Sequence, residues 1–256
     1  MLMRHAWQRH PFPVRAFFQH TLVLTYAVPQ ASLVGLLPPG LIPDTHRGFG
    51  LVAIAMVQTR ALRPACLPPS MGRDFFLSGY RVFARYRMSN GHTLRGLRIL
   101  RSDTDKRLMQ VLGNLLTHYN YQKACVTMRE GPERLEIGVR TPNGVADLRV
   151  VADLSIHPAP LPVNSPFKSP AEALRFAGPM PFTFDYEAQT HSMIVIEGVR
   201  AEWKPELVAV EVLENTFFRQ PHWRGVKPIL ASAFHLTNVP YLWRRGVRYP
   251  LERTSA

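Results

Sequence analysis

Lys123 is the residue of this chain whose type and surroundings best suit covalent chemistry. The sequence has five lysines, at positions 106, 123, 168, 204 and 227. Lys123 alone lies inside a strand-like run with apolar neighbours (YQKACVTM, 121–128), where desolvation or a nearby cation would lower the pKa of the amine, as imine formation requires. The alternative is an outward-facing lysine on an edge strand, the commoner state of lysine. Lys123 is therefore a candidate catalytic residue, although we prefer that alternative.

The cysteines and histidines show no metal-binding pattern. Cys66 and Cys125 lie far apart, which excludes a disulfide framework or a zinc motif. Cys125 sits in the same apolar run, so we expect a buried, unreactive thiol. The ten histidines form no HxH or HExxH spacing, and we expect no metal. His20 in the first strand and His118 at a helix end remain candidate ligand-binding residues.

Several classes of protein are excluded by absent motifs and by composition. GxSxG, GxxxxGKS/T and GxGxxG do not occur, and we expect no cofactor. The chain has 256 residues, of which 46% are apolar, which is enough for a proper core. The N-terminus lacks an apolar segment of signal-peptide length, and prolines interrupt the later apolar run. We therefore expect a cytoplasmic location and no membrane span.

The strong positive charge raises the question of an anionic partner. The formal net charge is +13, from 31 Lys and Arg against 18 Asp and Glu. The basic residues are scattered, which favours solvated surface arginines over a nucleic-acid site. An anionic-surface alternative rests on the charge and on Trp223, Arg224, Trp243, Arg244 and Arg245. We prefer the interpretation that this aromatic and basic segment packs on the core.

Strand patterns dominate the first half of the chain. HTLVLTYAV (20–28) and GFGLVAIAMVQTRAL (48–62) predict strands, the second buried on both faces. Two further runs are joined by Asn90-Gly91, a pair that tolerates positive φ at both central turn positions, which predicts a β-hairpin. Ser102 and Asp105 resemble a capping box, and Leu108, Val111, Leu112 and Leu115 share one helical face, which together predict a helix over about 103–118.

The second half continues the pattern of antiparallel strands. YQKACVTM, RLEIGVR and VADLRVVADL predict a meander, and FTFDYEA, SMIVIEGVRAEW and LVAVEVLE predict three more strands. Ser169-Pro170-Ala171-Glu172 is a second capping box, and Gly178 is expected to end its short helix. We infer a single α+β domain over 1–256, mostly antiparallel sheet curled around or against a central helix, with a core of about 14–215 and a C-terminal extension, 216–256, packed on it.

Several stretches, in this order, resemble the acetoacetate decarboxylase-like superfamily and in particular its uncharacterised bacterial branch. They are Phe18-Gln19-His20, LLPPGLIPDT (36–45) followed by GFGLVAIAMV, Arg81 in YRVFARY, the helix-to-strand junction GNLLTHYNYQKACVTM (113–128) and WKPELVAVEV (203–212). The resemblance covers about 14–215. It implies a cone-like barrel of bent antiparallel strands with a small-molecule cavity inside and the central helix packed against it.

The resemblance also implies what this chain lacks. The decarboxylases carry a glycine-arginine-glutamate pattern, then a proline and a lysine pair, in which one lysine forms the imine and the other lowers its pKa. Starting that pattern at Gly113 places Asn114 and Leu115 at the arginine and glutamate, Asn120 at the proline, and Tyr121-Gln122 at the lysine pair. We therefore expect no acetoacetate decarboxylase activity.

Three functions remain open from the sequence. The first is binding of a small acidic or carbonyl ligand in the cavity, with Arg81 holding an acid and Tyr121 as hydrogen-bond partner. The second is a lyase that uses Lys123, two residues beyond Tyr121 on the same strand face. The third is non-enzymatic binding of nucleic acid or an anionic surface, which we do not favour. Homo-oligomerisation is left open.

Overall fold

The computed structural model describes residues 7–156, 159–200 and 203–251. The strands are β1 (Val14–Pro29), β2 (Leu41–Pro43), β3 (Thr45–His46), β4 (Phe49–Pro64), β5 (Arg73–Arg87), β6 (Thr93–Thr104), β7 (Tyr121–Lys123), β8 (Cys125–Glu130), β9 (Arg134–Arg140), β10 (Leu148–Asp153), β11 (Phe182–Glu187), β12 (Ser192–Val199), β13 (Glu206–Leu207), β14 (Ala209–Asn215), β15 (Ile229–Trp243) and β16 (Val247–Pro250). The helices are α1 (Arg107–Leu116) and α2 (Pro170–Ala177), with short 3-10 turns at Gln30–Leu36, Pro69–Met71, Ala188–Thr190, Phe217–Arg219 and Pro221–Trp223.

The large sheet closes into a ring. Its strands follow the order β15-β1-β4-β5-β6-β11-β12, and β12 pairs back onto β15. The β6–β11 pairing is parallel, whereas the other pairings around the ring are antiparallel. The expected α+β fold, with bent antiparallel strands around an interior, is confirmed.

A second sheet covers part of the outside of the ring. It has the order β14-β10-β9-β8. Alternate side chains of β4, such as Val52 and Ile54, pack against its Ile137 and Val150 in one buried cluster. The intervening β4 residues face the ring interior, which explains why the sequence of this strand is apolar throughout.

The hairpin predicted at Asn90-Gly91 joins β5 to β6, but its turn differs from the expected one. Gly91 has φ +84°, whereas Asn90 is outside the left-handed region. The Gly91 N–H donates to the Met88 carbonyl at 3.0 Å. A turn followed by one left-handed glycine is the pattern of a longer hairpin loop, so a single positive φ is sufficient here.

The start predicted for the first helix is wrong. Asp103 belongs to β6, and α1 begins at Arg107 after Lys106, which makes no side-chain cap. Asp103 instead accepts from Arg101, and Asp105 accepts from the Phe76 N–H at 2.7 Å. The Asp105 carboxylate is thus used by a tertiary partner, which the local pattern could not show, and the Asp103 carboxylate by a neighbour on its own strand.

The Ser169 N-cap of the second capping box is confirmed, whereas the Glu172 side chain accepts from the Lys168 N–H instead of the Ser169 N–H. Ser169 Oγ accepts a hydrogen bond from the Glu172 N–H at 3.2 Å, and α2 ends before Gly178. Proline at the first helical position fits the same pattern.

Two predicted strands are each divided between the two sheets. The run 121–128 becomes β7, parallel to β6 in the ring, and β8 at the edge of the small sheet, with Ala124 between them. The run 207–214 is divided in the same way between β13 and β14, at Val208. Lys123 and Cys125 therefore belong to different sheets.

The segment after residue 215 contains a long strand of the ring. β15 pairs along most of its length with β1, from Ile229 opposite Ala27 to Trp243 opposite Val14. This stretch is therefore built into the large sheet, whereas the sequence suggested a layer packed on the core. In the part of the chain that the structure describes, no helix has the length and apolar character needed to cross a bilayer.

Candidate functional site

A cavity of about 110 Å³ lies inside the ring. One side of the cavity is formed by small residues on neighbouring strands. Ala53 of β4 lies opposite Arg81 of β5, and Ala55 lies opposite Gly79. Alternation along β5 directs Gly79, Arg81 and Phe83 to one face, which is the interior. The small residues leave room there for one long side chain.

Arg81 fills that room with a buried charge. Its guanidinium makes no hydrogen bond or ion pair with any described residue, and its Nε is buried without a partner. Burial lowers the pKa of Arg81, and the neighbouring Tyr241, Tyr121 and Tyr119 raise it by a smaller amount. Arginine stays protonated in proteins at neutral pH. The cavity therefore holds a cation that has no counter-ion among the described residues.

Three tyrosines surround this cation. Tyr119, Tyr121 and Tyr241 all line the cavity, and the ring centroids of the first two are 6.3 Å apart. Burial raises the pKa of each hydroxyl above its usual value. All three are therefore neutral phenols that can donate hydrogen bonds at neutral pH. The Tyr119 hydroxyl has no hydrogen-bond partner among the described residues.

Tyr121 is held from two sides by α1. A Cβ at Gly113 would overlap the aromatic ring, so the ring packs directly on the helix backbone. The side chain of Asn114 accepts from the Tyr121 N–H at 2.7 Å and donates to its carbonyl at 2.9 Å. The Asn114 side chain thus fixes the backbone of Tyr121.

The junction before Tyr121 also departs from the decarboxylase pattern in its backbone. Asn120 has φ +51°. Proline is restricted to φ near −65°, so the residue that resembles the family's proline position could not be proline in this conformation. Asn120 tolerates the left-handed region, and its carbonyl accepts from the Ser102 N–H at 3.2 Å.

The opposite wall carries a second arginine. Arg200 lies with its Cζ 4.5 Å from the ring centroid of Trp203 and 5.8 Å from that of Tyr241. Its Nη1 donates long hydrogen bonds of 3.4 Å to the Met180 carbonyl and to the Tyr241 hydroxyl. A Cβ at Gly198 would overlap that hydroxyl. Glycine is therefore needed at position 198 for Tyr241 to occupy its place.

Of the four ligand-binding candidates, the structure brings Arg81 and Tyr121 together in the cavity and leaves the two histidines outside it. His20 Nδ1 lies 3.2 Å from His235 Nε2, and His20 Nε2 lies 3.0 Å from Glu130 Oε1, in a cluster that joins the ring to the small sheet. The backbone N–H of His118 donates to Asp185 at 3.1 Å. Neither histidine lines the cavity.

Lys123 also lies outside the cavity lining. Its Nζ donates to the Ala124 carbonyl at 2.9 Å. No lysine is among the described residues that line the cavity with Arg81. The thiol expected to be buried at Cys125 is exposed, so that expectation is wrong. Val126 and Met128 of β8 pack against the buried cluster, and alternation places Cys125 on the opposite face of the small sheet.

Sequence reasoning missed Tyr119, Tyr241, Arg200 and Trp203 as cavity residues. One signal was available, because Tyr119 and Tyr121, like Tyr241 and Trp243, stand two residues apart, the spacing that places side chains on one strand face. A second signal was the pairing of Ala53-x-Ala55 with Gly79-x-Arg81 on adjacent strands. The partner strands were not known from the sequence.

The aromatic residues of the C-terminal segment are packed inside the molecule. Trp223 is buried with Phe217 and Phe218, and Trp243 lines the cavity. Arg244 Nε lies 3.3 Å from Glu197 Oε2. Trp223 is therefore not presented for stacking on a base, as a nucleic-acid site of this kind would require.

Among the residues described, no three His, Cys, Asp or Glu side chains are grouped as a metal site. The Arg200 guanidinium contacts aromatic rings, a hydroxyl and a carbonyl. The arrangement can bind and orient an anion by charge and by phenol donors.

Comparison with known proteins gives one family match. The model of the DUF2071 family, described as an uncharacterized conserved protein, matches residues 15–238. No curated protein matches the chain.

Several solved structures share the fold. Acetoacetate decarboxylase from Legionella pneumophila subsp. pneumophila str. Philadelphia 1 aligns with a TM-score of 0.60 and 12% identity, covering 93% of this chain and 88% of that chain. An acetoacetate decarboxylase-like enzyme from Sphingomonas wittichii RW1 gives 0.57 and 12%, covering 92% of each. The enduracididine biosynthesis enzyme MppR, complexed with pyruvate, gives 0.57 and 11%, covering 93% and 90%. At these identities the similarity establishes an acetoacetate decarboxylase-like fold.

Proposed function

The chain belongs to the DUF2071 family, and from the site enclosed by its acetoacetate decarboxylase-like ring we propose that it binds a small organic acid. The observation that carries the proposal is the buried guanidinium of Arg81 inside the cavity, which has no counter-ion among the described residues. A charge removed from water is costly unless an opposite charge or hydrogen bonds compensate it. A carboxylate supplies both, because it accepts two parallel N–H donors from a guanidinium.

The tyrosines would orient an acid that is bound by Arg81. Tyr119 and Tyr121 are neutral donors on the same side of the cavity, and the Tyr119 hydroxyl lacks a partner among the described residues. A bound carbonyl or carboxylate oxygen would satisfy it. A buried donor without a partner costs free energy, so the ligand that satisfies these groups is favoured over one that cannot.

The proposal is one of binding, without decarboxylase chemistry. The resemblance implies that Tyr121 and Gln122 take the positions of the lysine pair, and a phenol cannot form an imine. Support for a small keto acid as ligand comes from MppR, whose similar fold is recorded in complex with pyruvate. Pyruvate is therefore the first probe.

Titration calorimetry with pyruvate and with its uncharged amide, pyruvamide, tests the proposal. We expect pyruvate to bind the wild type, and pyruvamide to bind at least tenfold more weakly, since a hydrogen bond to a charged group contributes about 1.5 to 3 kcal/mol. Arg81→Met should lose pyruvate binding. Arg149→Met, which removes an exposed arginine on β10, is the matched control and should bind as the wild type does.

Two results would overturn the proposal. One is equal affinity of the wild type for pyruvate and pyruvamide, which would show that no cation binds the carboxylate. The other is unchanged pyruvate affinity in Arg81→Met, which would place the acid elsewhere on this basic protein.

A further inference from the structure

A second, larger space adjoins the cavity on the outside of the ring. This groove of about 730 Å³ lies between α1, the segment before β1 and the connection from β4 to β5. Most of its wall is aliphatic or aromatic, including Phe12, Leu62, Met71, Leu108 and Leu112. Leucine and methionine adapt to flexible apolar chains, which suits a groove for hydrocarbon.

The groove accounts for some of the apolar side chains that α1 exposes. Leu108 and Leu112 of α1 are 53% and 41% exposed, and Met71 across the groove is 57% exposed. The sequence indicated that this face of the helix is apolar, but the buried residue of α1 is Gly113. Apolar side chains that line a common depression mark a binding surface more often than isolated ones do.

The groove and the cavity share one wall. Leu77, Tyr119, Tyr121 and Trp243 line both spaces. Arg81 lies on the inner side of this wall, and the aliphatic side chains of α1 lie on the outer side. A cationic anchor and an apolar groove are thus separated by a single layer of side chains.

The volumes favour a ligand that uses both spaces. A cavity of about 110 Å³ is smaller than the roughly 300 to 1,000 Å³ of pockets that enclose drug-sized ligands, whereas the groove of about 730 Å³ falls in that range. A ligand with more than a few heavy atoms would have to extend beyond the cavity. The shared wall is the direction in which apolar surface is found.

We propose that the natural ligand is an amphiphilic monocarboxylic acid, whose carboxylate binds Arg81 and whose aliphatic chain reaches the groove beside α1 when the side chains of Tyr119 and Trp243 in the shared wall move apart to admit it. This inference rests on the proposed binding of an acid at Arg81. It adds the class of ligand, because the apolar groove selects a hydrocarbon tail.

A homologous series of carboxylic acids tests whether the aliphatic chain of the ligand contributes to binding. The sodium salts of butanoate, octanoate and dodecanoate are titrated into the full chain by calorimetry, each below the concentration at which it forms micelles. We expect affinity to rise with chain length by up to about fourfold for each methylene buried. Arg81→Met should weaken every member of the series by at least tenfold.

Adjacent positions on α1 provide a matched pair of variants. Leu112→Glu places a carboxylate in the groove, and Val111→Glu places the same group on an exposed position, 63% accessible, that does not line it. Leu112→Glu should remove the gain from octanoate to dodecanoate while butanoate binds as before. Val111→Glu should leave the whole series unchanged. Leu108→Glu, also exposed and lining the groove, repeats the test if Leu112→Glu does not fold.

The outcomes separate this inference from the proposed function. Equal affinity for all three acids that is lost in Arg81→Met would overturn the inference that the groove binds the aliphatic chain. It would leave acid binding at Arg81 intact. Failure of pyruvate and of every acid to bind would overturn both. Dodecanoate binding that survives Arg81→Met would overturn the inference, because the head group would not be at Arg81. A dimer seen by light scattering that both Val111→Glu and Leu112→Glu dissociate would assign the α1 face to a second copy and also overturn it.

Discussion

A side chain at residue 79 would touch the guanidinium of Arg81: a Cβ built on Gly79 lies 3.0 Å from both Nε and Nη2. The two residues share the interior face of β5, and the arginine side chain folds back along its own strand over the glycine. Gly79 therefore determines where the cationic anchor of the cavity lies.

Gly79→Ala should weaken binding without harming the fold. The added methyl displaces the flexible end of Arg81, and Gly79 has no positive φ that alanine would strain. We expect pyruvate affinity to fall roughly tenfold, which is about 1.4 kcal/mol, with the free energy of unfolding unchanged or slightly higher. Gly131→Ala is the control, because its Cβ would have an ordinary contact of 3.6 Å with the Arg134 carbonyl. Unchanged affinity in Gly79→Ala would show that Arg81 binds equally well from a displaced position.

Arg81→Met should stabilise the ligand-free protein while it removes binding. The guanidinium is buried without a counter-ion among the described residues, and its desolvation is not recovered until a ligand binds. We expect the free energy of unfolding in urea to rise by about 1 to 4 kcal/mol. Arg149→Met, exposed on β10, should change it by less than about 0.5 kcal/mol. Destabilisation by Arg81→Met would mean that the guanidinium supports the ring itself.

Gly113→Ala should destabilise the protein although alanine favours helices. Alanine gains about 1 kcal/mol over glycine in a helix, but here its Cβ would overlap the ring of Tyr121, whose backbone is clamped by Asn114. Overpacking of this kind costs about 1 to 3 kcal/mol, and the stiff ring and the clamp favour the upper part of that range.

A double-mutant cycle isolates this contact. In the Tyr121→Ala background the overlap disappears, so Gly113→Ala should become stabilising by about 1 kcal/mol when measured by urea unfolding. The same sign of effect in both backgrounds would show that Tyr121 does not press on α1.

His10 should make stability depend on pH in the acid range. Burial lowers the pKa of this side chain to about 4, despite hydrogen bonds with the backbone that raise it. The unfolded chain, with a pKa of about 6.5, binds the proton first as pH falls, so stability is present above pH 6.5 and is lost between about 6.5 and 4. The loss amounts to about 3 kcal/mol.

His10→Asn provides the comparison. Asparagine tolerates the left-handed backbone of this position, φ +55°, and does not titrate. The free energies of unfolding of the two proteins at pH 7 and pH 4.5 give the contribution of His10, because the carboxylates titrate in both. Parallel pH profiles would show that the histidine is protonated in the folded state.

Local signals in the sequence were reliable where neighbours in the chain make the structure. The Asn90-Gly91 hairpin and the Ser169 N-cap depend on bonds across a few residues, and both form. The equally local signal at Ser102 and Asp105 failed, because Ser102 lies in β6 and the Phe76 N–H takes the Asp105 carboxylate into a tertiary hydrogen bond. A capping pattern competes with partners that the local sequence does not reveal.

The sequence by itself determined most of the strands and the antiparallel fold, because side-chain alternation and turn residues are properties of the local sequence. Only the tertiary structure decided the site. It placed Arg81 over Gly79, brought Tyr241 from a strand 160 positions away to the same cavity, and divided the run 121–128 so that Lys123 lies outside it. The reason is physical: a cavity is formed by faces of strands that pair across the ring, and that pairing depends on the register and closure of the whole sheet.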